Sequence, residues 1–282
     1  MRQFIAVTEP DAHGKITLSL EDRRYLCSVL RMRHGDTIDV RLKNGSIVNA
    51  TIEGELRTAA LRIDLSAMSH PSLSSSQSSN RAGNPENTDF FSQTDFYLFQ
   101  FLPKLNKMDL VVRQAVECGI KTVLPIIGAY SDCASYPESA ADRMERWGNI
   151  VREARGQSGS AVATEVRVPV TVGEAIAFWQ NLQSPADCAV LLSENAQHTA
   201  PLHSYVGRKI AAVGAVKNAA LAVGCEGGIR EDERRAFIAA GFMPVHFSTN
   251  ILRAETAALY GMAALQNCIM EFDIWKCKEF TS

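Results

Sequence analysis

One stretch divides this sequence: His70-Pro-Ser-Leu-Ser-Ser-Ser-Gln-Ser-Ser-Asn80, continuing through Arg81-Ala-Gly-Asn-Pro-Glu-Asn-Thr88. It is rich in Ser, Asn, Pro and Gly and has almost no apolar side chain to bury. Burial therefore cannot offset the entropy lost on ordering, and residues 69–95 read as a flexible linker or insertion. The hydropathy rhythm differs on its two sides, which predicts two domains, residues 1–68 and residues 96–282.

The first part reads as a small β-rich domain. Ser19-Leu-Glu-Asp22 has the form of a capping box and opens a short helix, with Tyr25, Leu26, Val29 and Leu30 on one face. His34-Gly-Asp36 ends it. Thr37–Leu42 alternates, Lys43-Asn-Gly-Ser46 carries a hairpin signal, Ile47–Ile52 returns, and Leu61–Leu65 is a further alternating strand. A compact barrel with one helix accommodates these elements.

Beyond the linker the order becomes strand, helix, strand. Phe96–Phe101 is a strand, and Met108, Val111, Val112, Ala115 and Val116 share a helical face that Gly119 ends. Thr122–Ile127 is the next strand, with Pro125 marking an edge or strand end. Arg143–Ser158 is a second helix striped by Trp147, Ile150, Val151 and Ala154. Cys188–Leu192 and Ala219–Val223 are short continuous apolar runs, as strands buried on both faces are. Helices near 231–240 and 254–268 complete an α/β domain.

Composition narrows the function. The 282 residues hold 29 Lys and Arg against 31 Asp and Glu, a net charge of −2, so bulk charge does not attract nucleic acid and only a local patch would. No apolar run approaches the roughly 20 residues that span a bilayer. The start, Met1-Arg-Gln-Phe-Ile-Ala-Val-Thr-Glu-Pro10, has too short an apolar stretch for a signal peptide. The 7 cysteines are scattered without a C-x-x-C, which argues for reduced thiols in a cytosol and against a disulfide or zinc framework. His198 and His203 lack zincin spacing, and no metal is expected.

In open α/β sheets, ligands bind beyond the carboxyl ends of the strands. Three segments fall there: Leu191-Leu-Ser-Glu-Asn195, then Val223-Gly-Cys-Glu-Gly-Gly-Ile229 running into Glu231-Asp-Glu233, and Phe247-Ser-Thr-Asn-Ile-Leu-Arg-Ala-Glu-Thr-Ala257. The glycines permit close backbone approach. With no Gly-Lys-Ser/Thr this is not a P-loop, and Glu226, Glu231, Asp232 and Glu233 would repel a polyphosphate. A cationic or zwitterionic ligand suits it better.

The order Val-Gly-Cys-Glu-Gly-Gly, an acidic helix start, Ala-Gly-Phe-Met-Pro-Val245 and Ile-Leu-Arg-Ala-Glu-Thr-Ala257 resembles the SPOUT RNA methyltransferases. Within them it is similar to the ribosomal RNA small-subunit methyltransferase E family, whose members methylate N3 of a uridine in 16S rRNA. Tyr25-Leu-Cys-Ser-Val-Leu-Arg-Met-Arg-His-Gly-Asp36, and Leu102-Pro-Lys through Gln114-Ala-Val-Glu-Cys-Gly-Ile120, agree. The resemblance implies a PUA-like β-barrel that binds RNA, joined to a SPOUT α/β domain with a deep trefoil knot. It implies a cytoplasmic homodimer that binds S-adenosylmethionine and acts on the small ribosomal subunit, with no membrane. Carried over, the cofactor residues are Leu192, Glu194, Gly224, Glu226, Gly227, Gly228, Ile251, Leu252 and Arg253. Arg253 is the candidate to stabilise negative charge on the base. Glu255 would help remove the N3 proton, hold Arg253, or serve only as an acidic partner of a helix start.

Several positions depart from the family pattern. Its Gly-Pro-Glu-Gly-Gly is Gly224-Cys-Glu-Gly-Gly228 here, and its Leu-Gly-x-Arg is Phe247-Ser-Thr-Asn250. Arginines expected after Gln157-Ser-Gly159 are replaced by Ser160-Ala-Val-Ala-Thr164, and Lys-Gly-Asp-Arg by Lys104-Leu-Asn-Lys107. These changes remove positive charge from the face expected to meet RNA. The remaining candidates are Arg23, Arg24, Arg31 and Arg33 in one group, and Lys104, Lys107, Arg152 and Arg155 in another. The losses motivate a second reading, a non-catalytic RNA-binding relative with a degenerate active site. His34 and His246 read as packing or turn residues, Cys225 has no basic partner in sequence, and Trp147, Trp179 and Trp275 read as core or interface.

Overall fold

The structure, a computed structural model, describes residues 3–43, 46–54, 58–63, 94–131, 133, 139–182, 184 and 187–274. The expected linker as far as residue 93, the Asn44-Gly45 turn, residues 64 and 65 of the strand expected at 61–65, and Trp275 lie outside the described residues. The rest forms two compact units: one holds the residues up to Ile63 with Arg155–Ala161, the other the remainder. No helix among the described residues is long and apolar enough to cross a membrane.

In the first unit, β1 (Gln3–Ile5), β2 (Lys15–Thr17), β3 (Thr37–Arg41), β4 (Ile47–Glu53) and β5 (Ala60–Ile63) form one mixed sheet in the order β1-β3-β4-β5-β2. β1 runs parallel to β3 and the other pairings are antiparallel. The predicted hairpin pairs Thr37 with Thr51 through Arg41 with Ile47, a register that buries Ile38, Val40, Ala50 and Ile52. Ser19 caps α1 (Leu20–Arg24): its hydroxyl accepts from Asp22 N at 3.1 Å, and the Asp22 carboxylate accepts from Ser19 N at 3.2 Å.

The helical stripe expected after this cap is altered. Tyr25–Val29 is a π-helical turn in which Leu30 N–H donates to the Tyr25 carbonyl at 2.9 Å. A π turn holds more residues than an α turn, so positions beyond it rotate around the axis. Leu26 is fully buried, whereas Val29 is 65% exposed.

The second unit is built on a parallel sheet. Its strands are β6 (Asp95–Phe101), β7 (Thr122–Ile127), β8 (Glu165–Val166), β9 (Val170–Thr171), β10 (Cys188–Leu192), β11 (Asn218–Val223) and β12 (Met243–Val245). Their order is β12-β10-β11-β6-β7-β8, with β9 also on β7, and every pairing is parallel. Among the described residues five helices lie between these strands, α2 (Leu105–Glu117), α3 (Ala140–Ser158, its end from Arg155 belonging to the first unit), α4 (Val172–Leu182), α5 (Leu202–Val213) and α6 (Glu231–Ala239), and α7 (Ala254–Ile274) follows β12.

Successive strand residues face opposite sides of a sheet, and here each side has its own core. Phe96 and Leu98 of β6 join Met108, Val112, Trp147, Ile210 and Met262. Tyr97, Phe99 and Phe101 join Trp179, Phe237 and Phe242 on the other side. Phe99 meets Trp179 at 6.2 Å and Phe242 at 5.4 Å between ring centroids, both edge to face.

Pro125 does not mark an edge. β7 lies inside the sheet, between β6 and the two short strands β8 and β9. The carbonyls of Lys121 and Val123 accept from Glu165 and Arg167, so Pro125, two residues on, faces the same side. It falls between the end of the β8 register, at Val123 with Val166, and the start of the β9 register, at Ile126 with Val170. The neighbouring strand is broken where β7 has no N–H to offer.

Because Phe99 is fully buried among edge-to-face rings, Phe99→Ala is expected to cost about 3–5 kcal/mol of stability, read from equilibrium urea unfolding.

Candidate functional site

Three connections emerge at the carboxyl ends of β10, β11 and β12, and between them lies a cleft of about 750 Å³. The nine residues from the sequence reading, Leu192 and Glu194, Gly224 and Glu226 to Gly228, and Ile251 to Arg253, all line it. Lys107, on the first turn of α2, lines it as well, although the sequence grouped it with RNA-facing cations. Glu255 is not among the residues that line the cleft; it stands in the first turn of α7, with a side chain 12% exposed.

The turn after β11 closes with Gly228 N–H donating to the Cys225 carbonyl at 2.9 Å. Its three glycines have different reasons. A Cβ at Gly224 would stand 3.0 Å from the Gly228 carbonyl carbon, and one at Gly227 2.8 Å from Tyr130 Cβ, so both allow close packing inside the protein. Gly228 adopts φ +76°, where side chains are strained, and a Cβ there would find only Glu194 Oε1 within 4 Å, at 3.9 Å. Of the three, Gly228 is the one that opens toward the cleft.

Cys225, standing where the resemblance expects proline, is buried and donates its thiol to the Tyr130 carbonyl at 3.2 Å. Burial pushes its pKa up, opposite to what a nucleophile needs. Strand β6 supports the same turn from below. The fully buried Gln100 donates its amide to the Phe101 carbonyl at 2.8 Å and to the Gly224 carbonyl at 3.3 Å.

The acidic loop is less negative toward a ligand than its sequence suggests. Glu233 caps α6, accepting from Arg230 N at 3.1 Å and from Ala129 N at 2.8 Å. Arg230 hydrogen-bonds Asp232 and brings its carboxyl down to about 2. Glu231 pairs with Arg234 and Arg235. Glu226 accepts from Lys104 N–H at 3.1 Å and pairs with Lys107 Nζ at 2.8 Å. Glu194 is exposed and has no hydrogen-bond or ion-pair partner among the described residues, so it is the lining carboxylate left to face a cation.

Also lining the cleft, Arg253 precedes α7, and its carbonyl accepts from Ala257 N at 2.7 Å. Its exposed guanidinium has no carboxylate partner among the described residues. The expectation that Glu255 holds Arg253 is thereby replaced: Glu255 lies 3.6 Å from Lys107 Nζ. His246 also lines the cleft, its Nδ1 3.0 Å from the Ser193 carbonyl, which accepts and so places the proton on Nδ1. Asn250 is on the cleft wall, whereas Ser248 is exposed beside it.

The remaining candidate cations are distributed over both units. In the first, Arg24, Arg31 and Arg33 are exposed and Arg23 is half-buried. In the second, Lys104 and Arg152 are exposed. Half-buried Arg155 donates to the carbonyls of Ser160 and Ala161, both at 3.2 Å, holding the segment where arginines were expected. His203 packs on Phe272 with ring centroids 4.5 Å apart. Among the described residues no group of three or more His, Cys, Asp or Glu is placed to hold a metal ion.

The roles of Tyr130, Gln100 and Ser193 were missed by sequence reasoning. Tyr130 and Ser193 offer their own carbonyls to the side chains of Cys225 and His246, and Gln100 donates to the Gly224 carbonyl, contacts that carry no local pattern. The one signal available was a polar Gln100 inside an otherwise apolar strand, since a buried amide needs partners.

The RNA methyltransferase domain family matches residues 92–266. Among similar proteins, the ribosomal RNA small subunit methyltransferase E of Buchnera aphidicola is 23% identical over 255 residues, covering 90% of this chain and 88% of the relative. That of Aquifex aeolicus is 30% identical over 175 residues, covering 61% of this chain and 69% of the relative. The fold matches that of a ribosomal RNA small subunit methyltransferase E from Neisseria gonorrhoeae solved bound to S-adenosyl methionine, with a TM-score of 0.70, 23% identity and coverage of 95% of this chain and 97% of that one. With the RNA methyltransferase domain matched over more than half of the chain and a relative 30% identical covered over 69% of its length, the chain belongs to the ribosomal RNA small subunit methyltransferase E family of the SPOUT superfamily.

Proposed function

We propose that this protein transfers the methyl group of S-adenosylmethionine to N3 of a uridine in 16S rRNA of the small ribosomal subunit. The observation that carries the reading is the convergence of nine residues from three separate segments on one cleft, within a family of RNA methyltransferases. The cleft's volume of about 750 Å³ falls in the ordinary range for small-molecule sites. Glu194, unpartnered among the described residues, suits a positively charged ligand, and Gly228 keeps its side of the cleft clear of a side chain.

When bound, the cofactor supplies an electrophilic methyl on a sulfonium; the protein's part is to orient and to manage charge. The turn at 224–228 and the segment at 251–253 grip from two walls, so that transfer to a held base becomes effectively unimolecular. Loss of the N3 proton to solvent water leaves negative charge on the uracil, and the uncommitted Arg253 guanidinium stabilises it. Glu255, mostly covered and facing Lys107, serves in this reading as an acidic first-turn partner of α7 rather than as the base.

The wider reading keeps the family's architecture: a PUA-like barrel in the first unit, a trefoil knot in the second, and a cytoplasmic homodimer. Exposed Leu259 and Tyr260 on α7 support an interface with a second copy. Arg23, Arg24, Arg31, Arg33, Lys104 and Arg152 then contact RNA phosphates.

The primary test is transfer of labelled methyl to small subunits isolated from cells lacking this protein, with the product nucleoside identified by mass. N3-methyluridine is the expected product. Cofactor binding without transfer would instead support a non-catalytic RNA-binding relative. Arg253→Ala is expected to lower the transfer rate by about 10²–10³-fold, as loss of a transition-state donor does, and to weaken cofactor binding by a smaller factor. Unchanged turnover would remove it from the mechanism. Gly228→Val places a branched side chain at φ +76° beside Glu194 and is expected to abolish cofactor binding in calorimetry while the protein stays folded by circular dichroism.

A further inference from the structure

Lys107 has its charge committed inside the cleft wall. Its ammonium is 2.8 Å from Glu226 of the turn after β11 and 3.6 Å from Glu255 of α7. The Lys104 N–H at the start of the same helix donates to both Glu226 oxygens, at 3.1 and 3.3 Å. The start of α2 thus holds one carboxylate through a backbone amide and an ammonium together, where the helix dipole also favours negative charge.

The three residues belong to three elements that must keep register for the cleft to exist. α2 is the fixed one: Met108, Val111, Val112 and Ala115 are fully buried on its inner face, and Gln266 of α7 donates to the Cys118 carbonyl at its far end, at 2.6 Å. The glycine turn and the first turn of α7 both meet it at Lys107. Arg253 lies two residues before Glu255, so the position of Glu255 bears directly on where the guanidinium stands.

Charge balance makes the arrangement dependent on the ammonium. Lys107 and Glu226 are only about a third exposed, 30% and 29%, and Glu255 is 12% exposed, so solvent screening is partial. Glu255 Oε2 has no hydrogen bond, which leaves the 3.6 Å ion contact as its compensation among the described residues. The hydrogen bond to Glu226 raises the Lys107 pKa. Burial alone would raise the Glu226 carboxyl, but Lys107 and the backbone amides bring it below its ordinary value. Without the ammonium, Glu226 would keep only backbone amides and Glu255 would lose its ion contact, and repulsion between the two carboxylates would push the turn and α7 apart.

We infer that Lys107 is a positioning residue of the cofactor cleft, acting through Glu226 on the glycine turn and through Glu255 on the segment that carries Arg253. The inference rests on the reading of this cleft as the S-adenosylmethionine site, and it assigns Lys107 to that site rather than to RNA contact.

The test uses the full-length protein and the variants Lys107→Met, Lys107→Arg, Glu226→Gln and the double variant Lys107→Met with Glu226→Gln. Calorimetric titration with S-adenosylmethionine is expected to show roughly tenfold weaker binding for Lys107→Met, as loss of a charge-assisted contact allows. Lys107→Arg should retain most of the affinity. Adding Glu226→Gln to Lys107→Met should cost less than it does in the parent, because both act through one contact. Hydrogen exchange of the peptide covering 224–230, measured without ligand, should rise in Lys107→Met and return in Lys107→Arg. Parent-like affinity and exchange in Lys107→Met would overturn the inference. So would strictly additive effects of the two substitutions. Failure of the parent protein to bind S-adenosylmethionine would overturn the functional reading instead, while the exchange data would still decide whether Lys107 holds the turn.

Discussion

Strand β6 is apolar along most of its length because both faces of its sheet are covered. Phe96 and Leu98 enter one core while Tyr97, Phe99 and Phe101 enter the other. A parallel sheet buried in this way has rigid strand ends, and its connections emerge from fixed points. The cleft depends on that rigidity, since its walls are loops with little regular structure. Gln100 couples the two levels directly: lying within the sheet, it donates to the Gly224 carbonyl where β11 gives way to the glycine turn. Gly261 makes the matching concession on α7, where a Cβ would stand 2.9 Å from both Leu192 and Leu221.

The electrostatics of the cleft follow from which charges the fold consumes. Glu226, Glu231, Asp232 and Glu233 form a dense acidic run in sequence, yet each is occupied by a neighbouring cation, a backbone amide or both. Of the charged side chains lining the cleft, Glu194 and Arg253 have no carboxylate or cation partner among the described residues. A site that presents one free anion and one free cation suits a cationic methyl donor and the anionic acceptor proposed above. Here the net charge of the loop is a poor guide, and the individual partners decide.

Several elements were legible from periodicity alone. The α2 stripe, the buried runs of β10 and β11, and the Ser19–Asp22 capping box follow from local preference and burial acting together. Where one residue's environment depended on a remote strand, the local signal misled. Pro125 has the mark of an edge residue, but β7 is interior because its partner strand is interrupted opposite the proline. Val29 fits an α-helical stripe, but the backbone widens into a π turn and moves it outward. Likewise Gly227 reads as a ligand-cradling glycine, whereas its missing side chain makes room for Tyr130.

By itself the sequence determined the α/β rhythm of the second unit, the three strand-end segments and their motif, because hydrophobic period, helix caps and glycine turns act over a few residues. Tertiary structure alone decided how those segments share one cleft, which carboxylates stay free to meet a ligand, and that Lys107 joins Glu226 and Glu255. Hydrogen bonds and ion pairs between segments more than a hundred residues apart, such as Lys104 with Glu226 or Gln100 with Gly224, leave no periodic trace in a chain. They form only once burial of the two cores has brought those segments together.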